Sequence, residues 1–168
     1  MTELFIALGS NLEPAKNMIS GLAALKQHFN LIKSSKIVQS PALGFDGPDF
    51  YNQVCKFSTH FSLTETLAIL KGIEITHGCA QTEQSFRSRT LDLDLLLYED
   101  LITFSSGLEL PRSDIVKYHF VLGPLAEIAG DKKHPLLGLS YDQLWGSYVK
   151  THQFQMHLVS EKDLCTIS

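Results

Sequence analysis

Apolar residues recur along this chain in two rhythms, and the places where one rhythm gives way to the other mark out its elements. Residues 4–8 form a continuous apolar run that stops at Gly9-Ser10-Asn11, where small and turn-forming residues let the backbone bend, so a buried strand is predicted there. From Pro14 onward Ala15, Met18, Ile19, Leu22, Leu25 and Phe29 keep helical spacing, with proline in the first turn. The segment NLIKSSKIVQS then reads as a second strand. PALGFDGPDF holds two prolines and two glycines between periodic segments and reads as a surface loop, after which YNQVCKFSTHF resumes as a third strand. Ser62 with Glu65 three residues on is a capping-box pattern, and it opens a helix that carries Leu63, Leu67, Leu70 and Glu74 on one face until Gly78.

CAQTEQSFRS is polar and aperiodic and is expected to be a loop, whereas RTLDLDLLLY alternates as a fourth strand should. EDLITFSSGLEL reads as a short hairpin, HFVLGPLAEIAG and SYDQLWGSYV as two further helices, and HQFQMHLVS as an added edge strand. The order strand, helix, strand, strand, helix, strand predicts an α+β fold with a ferredoxin-like βαββαβ core, an antiparallel sheet with helices packed on it. A chain of 168 residues fits one domain, here a core over residues 1–149 and a C-terminal extension over 150–168.

Composition narrows the possibilities without choosing among them. With 44% hydrophobic and 19% charged residues and no low-complexity tract, the chain is an ordinary globular domain. A net charge of −4 argues against nucleic-acid binding, the apolar runs are too short to span a bilayer, and the acidic start MTELF does not resemble a secretion signal. A cytoplasmic protein without membrane attachment is expected, and a monomer. Cys55, Cys79 and Cys165 lack the spacing of a disulfide framework or a zinc site. The seven histidines show no ligand spacing.

Charge placement is more telling. On a strand Asp92 and Asp94 share one face, about 6.6 to 6.8 Å apart, while Leu91, Leu93, Leu95 and Leu97 are expected to face the core. Two carboxylates that close repel unless a cation neutralises them. Magnesium suits such a pair, because it keeps its own waters and is completed by nucleotide phosphates, and two ions about 3.5 to 4 Å apart can clamp a phosphoryl displacement. The three arginines, Arg87, Arg89 and Arg112, all lie near this pair while the eleven lysines are scattered. Guanidinium grips phosphate oxygens in bidentate fashion. The alternative is a solvated strand face with salt bridges between these arginines and the same aspartates.

RTLDLDLLLY, the opening ALGSNL, SPALGFDGPDFYNQV and GPLAEIA resemble, in this order, the 6-hydroxymethyl-7,8-dihydropterin pyrophosphokinase family of folate biosynthesis. The resemblance runs from about residue 4 to about residue 129. It implies transfer of the terminal pyrophosphoryl group of ATP to the hydroxymethyl oxygen of the pterin, with release of AMP, and ATP and two magnesium ions as the companions of the reaction. Asp92 and Asp94 match the family's metal ligands, and Arg89 an arginine on the nucleotide phosphates. Asn52 matches the pterin-binding asparagine, Phe50 and Phe120 the two stacking plates, and Ser40, Pro41 and Leu43 the rest of the pterin pocket. Leu67, Lys71, Glu74, Phe86, Arg87, Leu95 and Arg112 fall where ATP is contacted.

The chain departs from the family's pattern where charge matters. Neutral Cys79, Gln81 and Thr82 follow the second helix, Gly107 and Tyr118 stand where basic residues are usual, and Pro111-Arg112 stands where Pro-His is usual. Arg87, Arg112 and Lys117 are the candidates to replace the lost cations. Loops 42–49 and 79–88 are the candidate lids. A diverged relative that binds pterin or nucleotide without turnover is the competing reading, and transfer to another acceptor, which would yield ADP, is a third.

Overall fold

The computed structural model describes residues 1–78 and 88–165. In chain order its elements are β1 (Thr2–Ser10), α1 (Pro14–His28), β2 (Asn30–Ser34), β3 (Val38–Ser40), β4 (Phe50–Thr59), α2 (Leu63–Thr76), β5 (Asp92–Tyr98), β6 (Thr103–Ser105), β7 (Leu108–Leu110), α3 (Asp114–Lys117), α4 (His119–Ala129), α5 (Tyr141–Thr151), β8 (His157–Leu158) and α6 (Glu161–Cys165). The long apolar run of β1 makes it the central strand, antiparallel to β4 on one side and to β5 on the other. The outer side of β4 is covered by β2 along one half and β3 along the other, giving the order β5-β1-β4-β3-β8 with β2 beside β4. This is the ferredoxin-like arrangement the element order predicts, and it places β5 at the sheet's margin.

Alternation on β1 divides the interior in two. Leu4, Ile6 and Leu8 face α1 and α2, in a core completed by Phe57, Leu93, Met18 and Leu70. Phe5 faces the other way, into a second core with Val54, Leu122, Leu125 and Tyr141 from the α4 and α5 side. Leu97 joins this second core and not the first, contrary to the simple alternation expected for residues 91–97. The cause is a register shift on β1 between Phe5 and Ile6, which pair with Leu97 and Leu95 and leave Leu96 as the extra residue of a bulge.

Three other expectations are adjusted. The second strand breaks into β2 and β3 because Ser35 engages β4 through its main chain and its side chain together: Ser35 N donates to Val54 O at 2.9 Å and Val54 N to Ser35 Oγ at 3.0 Å. The fourth strand begins at Asp92, since the main chain of Arg89 is held by the turn after β1, Asn11 N donating to Arg89 O at 3.0 Å. The C-terminal segment yields only the two-residue β8 and then α6. The hairpin β6–β7 and both later helices form as predicted, with Gly107 at φ 83° in the hairpin turn and a capping box from Ser140 and Gln143 opening α5.

Candidate active site

Two rungs of the sheet lay out the site. Asp92 pairs with Gly9, which pairs with Asn52, and one rung along Asp94 pairs with Ala7, which pairs with Val54. The carboxylates and the Asn52 amide therefore lie on the same sheet face, about 10 Å apart across two strand spacings. Between them the central strand offers only a methyl group and a hydrogen. That trough is the floor of a cavity of about 290 Å³ roofed by loop 41–49 and the start of α4. A Cβ at Gly9 would stand 3.0 Å from Asn52 Oδ1, so glycine is what keeps the amide end open.

The acidic end is electrostatically tense. Asp94 is 29% exposed, and its Oδ1 accepts from Arg112 at 3.1 Å, while Arg112 Nε is held at 2.8 Å by Asp114 Oδ2. Burial first, and repulsion from Asp92 second, push the Asp94 carboxyl up to about 8 despite the guanidinium. Glu74 reaches across from α2, where its Oε1 accepts from Leu93 N at 2.8 Å. Burial and the neighbouring Asp92, to which it is hydrogen-bonded, push Glu74 up to about 7. Three carboxyls thus crowd the start of β5, the charge of Asp92 raising both Asp94 and Glu74, opposed by Arg112 at Asp94 and by Lys71 at Glu74. A divalent cation relieves that repulsion, and Asp92 and Asp94 are the donors able to hold it. No group of three or more His, Cys, Asp or Glu makes a closed cage among the described residues, so such an ion would keep open positions for oxygen ligands from elsewhere.

The opposite end is built to receive a flat polar molecule. Ser40 Oγ and Asn52 Nδ2 are buried without a hydrogen-bond partner, a costly condition that a bound ligand's acceptors and donors remove. Aromatic rings flank them. Phe45 meets Phe50 edge-on, centroids 6.3 Å apart at 90°, and Tyr118 lies on Phe120 at 5.1 Å and 12°.

Of the residues singled out in the sequence, Ser40, Pro41, Leu43, Phe50, Asn52 and Phe120 line one part of this cavity, and Arg89, Asp92, Asp94 and Arg112 line the rest. Glu74 borders it through Asp92. The Leu95 side chain is 4% exposed and packs within the first core, beside Leu93, outside the cavity lining. Leu67 packs on the same core and Lys71 is exposed on α2, both outside the cavity lining. Phe86 and Arg87, with most of the candidate lid 79–88, lie outside the described residues. Lys117 lies 5.3 Å from the Tyr118 ring centre.

Other contributors escaped the sequence reading. Ser10 and Asn11, taken there as a plain turn, are buried and organise the loops. Asn11 Oδ1 accepts from Arg89 N at 2.7 Å, while its Nδ2 donates to Pro48 O at 3.1 Å and to Ser88 Oγ at 3.2 Å. One side chain thus ties the arginine's backbone to both neighbouring loops. Asp114 was missed because its role is to hold Arg112, and Phe45 because nothing in a Gly/Pro loop says which ring turns inward.

Comparison with known proteins bears on what this cavity serves. Residues 5–130 match the family described as 7,8-dihydro-6-hydroxymethylpterin-pyrophosphokinase. The chain is 38% identical over 135 residues to the 2-amino-4-hydroxy-6-hydroxymethyldihydropteridine pyrophosphokinase of Haemophilus influenzae, covering 78% of this chain and 84% of that protein. It is 34% identical over 140 residues to a folic acid synthesis protein of Pneumocystis carinii, of which it spans 19%. Among solved structures, the HPPK-DHPS protein of Plasmodium falciparum superposes with a TM-score of 0.71 at 13% identity, over 89% of this chain and 44% of that one, a likeness of fold. A match across three quarters of its length, carried by the strands that build the cavity, makes this chain a member of the 7,8-dihydro-6-hydroxymethylpterin-pyrophosphokinase family.

Proposed function

We propose that the cavity performs the family's reaction, transfer of pyrophosphate from ATP to the hydroxymethyl group of 6-hydroxymethyl-7,8-dihydropterin in folate biosynthesis, and that it does so with magnesium held by Asp92 and Asp94. The observation that carries the reading is the polarity of one continuous cavity: orphaned donors between aromatic rings at one end, crowded carboxylates beside arginine at the other. The pterin's edge takes the Asn52 amide and the Ser40 hydroxyl, and Phe50 and Phe120 hold its faces. Its hydroxymethyl group then points along the Gly9 trough toward Asp92.

The hydroxymethyl oxygen bonds to the β-phosphorus of ATP as the bond from that phosphorus to the α,β-bridging oxygen breaks, so AMP departs and the hydroxyl proton passes to solvent. Magnesium, when bound, neutralises phosphate charge and eases loss of that proton. Arg89 positions phosphate oxygens, its main chain fixed by Asn11. Arg112, held between Asp94 and Asp114, is a second guanidinium that would face the phosphates. Arg112 is thus one of the candidates, with Arg87 and Lys117, to replace the basic residues missing at Cys79, Gln81, Gly107 and Tyr118.

The test is AMP formation from ATP, the pterin and magnesium, compared with Asp92→Ala. An unaltered chain no faster than that variant refutes the assignment, and ADP in place of AMP assigns a different transfer. The reading also carries a cytoplasmic, monomeric protein that engages small molecules alone. No helix among the described residues is long and apolar enough to cross a membrane.

A further inference from the structure

The chain beyond the family match runs from residue 131 onward, and its last part returns to the cavity. After α5 it crosses the start of α4, where the Phe154 ring stacks on His119, centroids 4.7 Å apart and 19° between planes. Phe154 also meets Trp145 at 5.5 Å and Tyr148 at 5.8 Å. The main chain joins in, since His119 Nε2 lies 3.2 Å from Gln155 O. Trp145 and Met156 close over Gly123, where a Cβ would come within 3.0 Å and 3.3 Å of them. The same segment then pairs with the far side of the sheet: Leu158 and His157 stand opposite Val38 and Gln39, and Val159 N donates to Ile37 O at 3.0 Å. Finally α6 packs on α1.

The two ends of this path are the two walls of the cavity's aromatic end. His119 is buried and meets Phe120 edge-on at 5.2 Å and 81°, so whatever fixes His119 fixes the ring beside it. β3 ends in Ser40, whose unpartnered hydroxyl faces the same space. α4 also packs directly on β3, and near its far end Glu127 accepts from Lys36 N at 3.2 Å; this path adds a bridge at the start of α4, from His119 to the outer edge of β3. We infer that residues 152–165 are a strap that sets the spacing between these walls, and that Phe154, His119 and Val159 are positioning residues for the pterin. The inference rests on the pterin assignment made above. The contacts of the strap with His119 and with β3 lie at the aromatic end, so its influence is expected to fall on the pterin more than on ATP.

The test compares Phe154→Ala, Phe154→Tyr and Val159→Pro with the unaltered chain, following pterin binding by its fluorescence and turnover by AMP release. Val159→Pro removes a single N–H, that of half-buried Val159, which belongs to neither core. Expected is a rise of about fivefold or more in pterin Kd and KM for Phe154→Ala, with ATP KM and kcat within about twofold, recovery in Phe154→Tyr, and a smaller rise of the same kind in Val159→Pro. Unchanged pterin affinity in Val159→Pro and in folded Phe154→Ala, or equal losses toward both substrates, overturns the strap. Should Phe154→Ala fail to fold, Val159→Pro decides alone by the same criterion. An unaltered chain that binds no pterin defeats the functional assignment and the strap together, and is told apart because it needs no substitution.

Discussion

Replacing Asp94 by asparagine in the metal-free protein isolates the strain at the acidic end. Asparagine keeps the shape and an oxygen for Arg112 but removes the charge. The Asp94 carboxyl ordinarily titrates at 3.8 and in the folded chain is pushed up to about 8 by burial and by Asp92. A folded-state value raised above the unfolded one means that the protonated form is favoured by folding. Its stabilising contribution is complete below about 3.8 and is lost as pH climbs through about 8. At about 1.36 kcal/mol per pH unit the full span sets an upper bound of roughly 6 kcal/mol. Water entering the cavity and the sharing of charge with Asp92 and Glu74 bring the expected effect to about 2 kcal/mol at pH 8, or about 4–8 °C in Tm for a domain of this size. Urea and thermal unfolding with a chelator present should therefore show Asp94→Asn near parity with the unaltered chain at pH 4.5 and more stable at pH 8. Magnesium should stabilise the unaltered chain at pH 8 and do less for the variant. A stability difference that does not change between pH 4.5 and pH 8, or a variant less stable at pH 8, refutes the account of charge crowding.

Two further substitutions probe the floor and the loops. Gly9→Ala places its Cβ 3.0 Å from Asn52 Oδ1, and is expected to raise pterin KM by about tenfold with less than about 1 kcal/mol lost in urea unfolding, as a displaced amide misplaces the substrate without opening a core. Asn11→Ala removes hydrogen bonds to Arg89 N, Pro48 O and Ser88 Oγ, and is expected to lower unfolding free energy by about 2–3 kcal/mol and to depress kcat/KM for ATP in steady-state assays, because Arg89 loses its side-chain anchor while main-chain bonds to Arg89 O remain.

The sheet's plan was legible because period-2 and period-3.6 patterns dominate the first hundred residues, and every predicted strand and helix there has a counterpart. What escaped was local. The bulge at Leu96 cannot be read from a leucine run in which any residue could be the extra one, yet it is what sends Leu97 to one core while Asp92 and Asp94 keep facing the cavity. Had β5 continued in the register of Leu97, Asp94 would stand opposite Leu8 and face the first core. The break at Ser35 was hidden for a similar reason, because a serine side chain standing in for a backbone group leaves no periodic trace. At the site, charge pattern and resemblance brought ten of the expected residues to one cavity. They were silent on Asn11 and Asp114, which act by holding other residues, and the Leu95 side chain lies in the core and not along the cavity.

Glu74 has a consequence for the open edge of the sheet. β5 is the last strand on its side, and a marginal strand offers its outward N–H groups as a template to any extended neighbour. The Glu74 side chain on Leu93 N closes one rung of that template and puts a titratable group where a second strand would have to dock. A neutral, apolar side chain in its place would reopen that rung, and is expected to increase concentration-dependent light scattering during refolding.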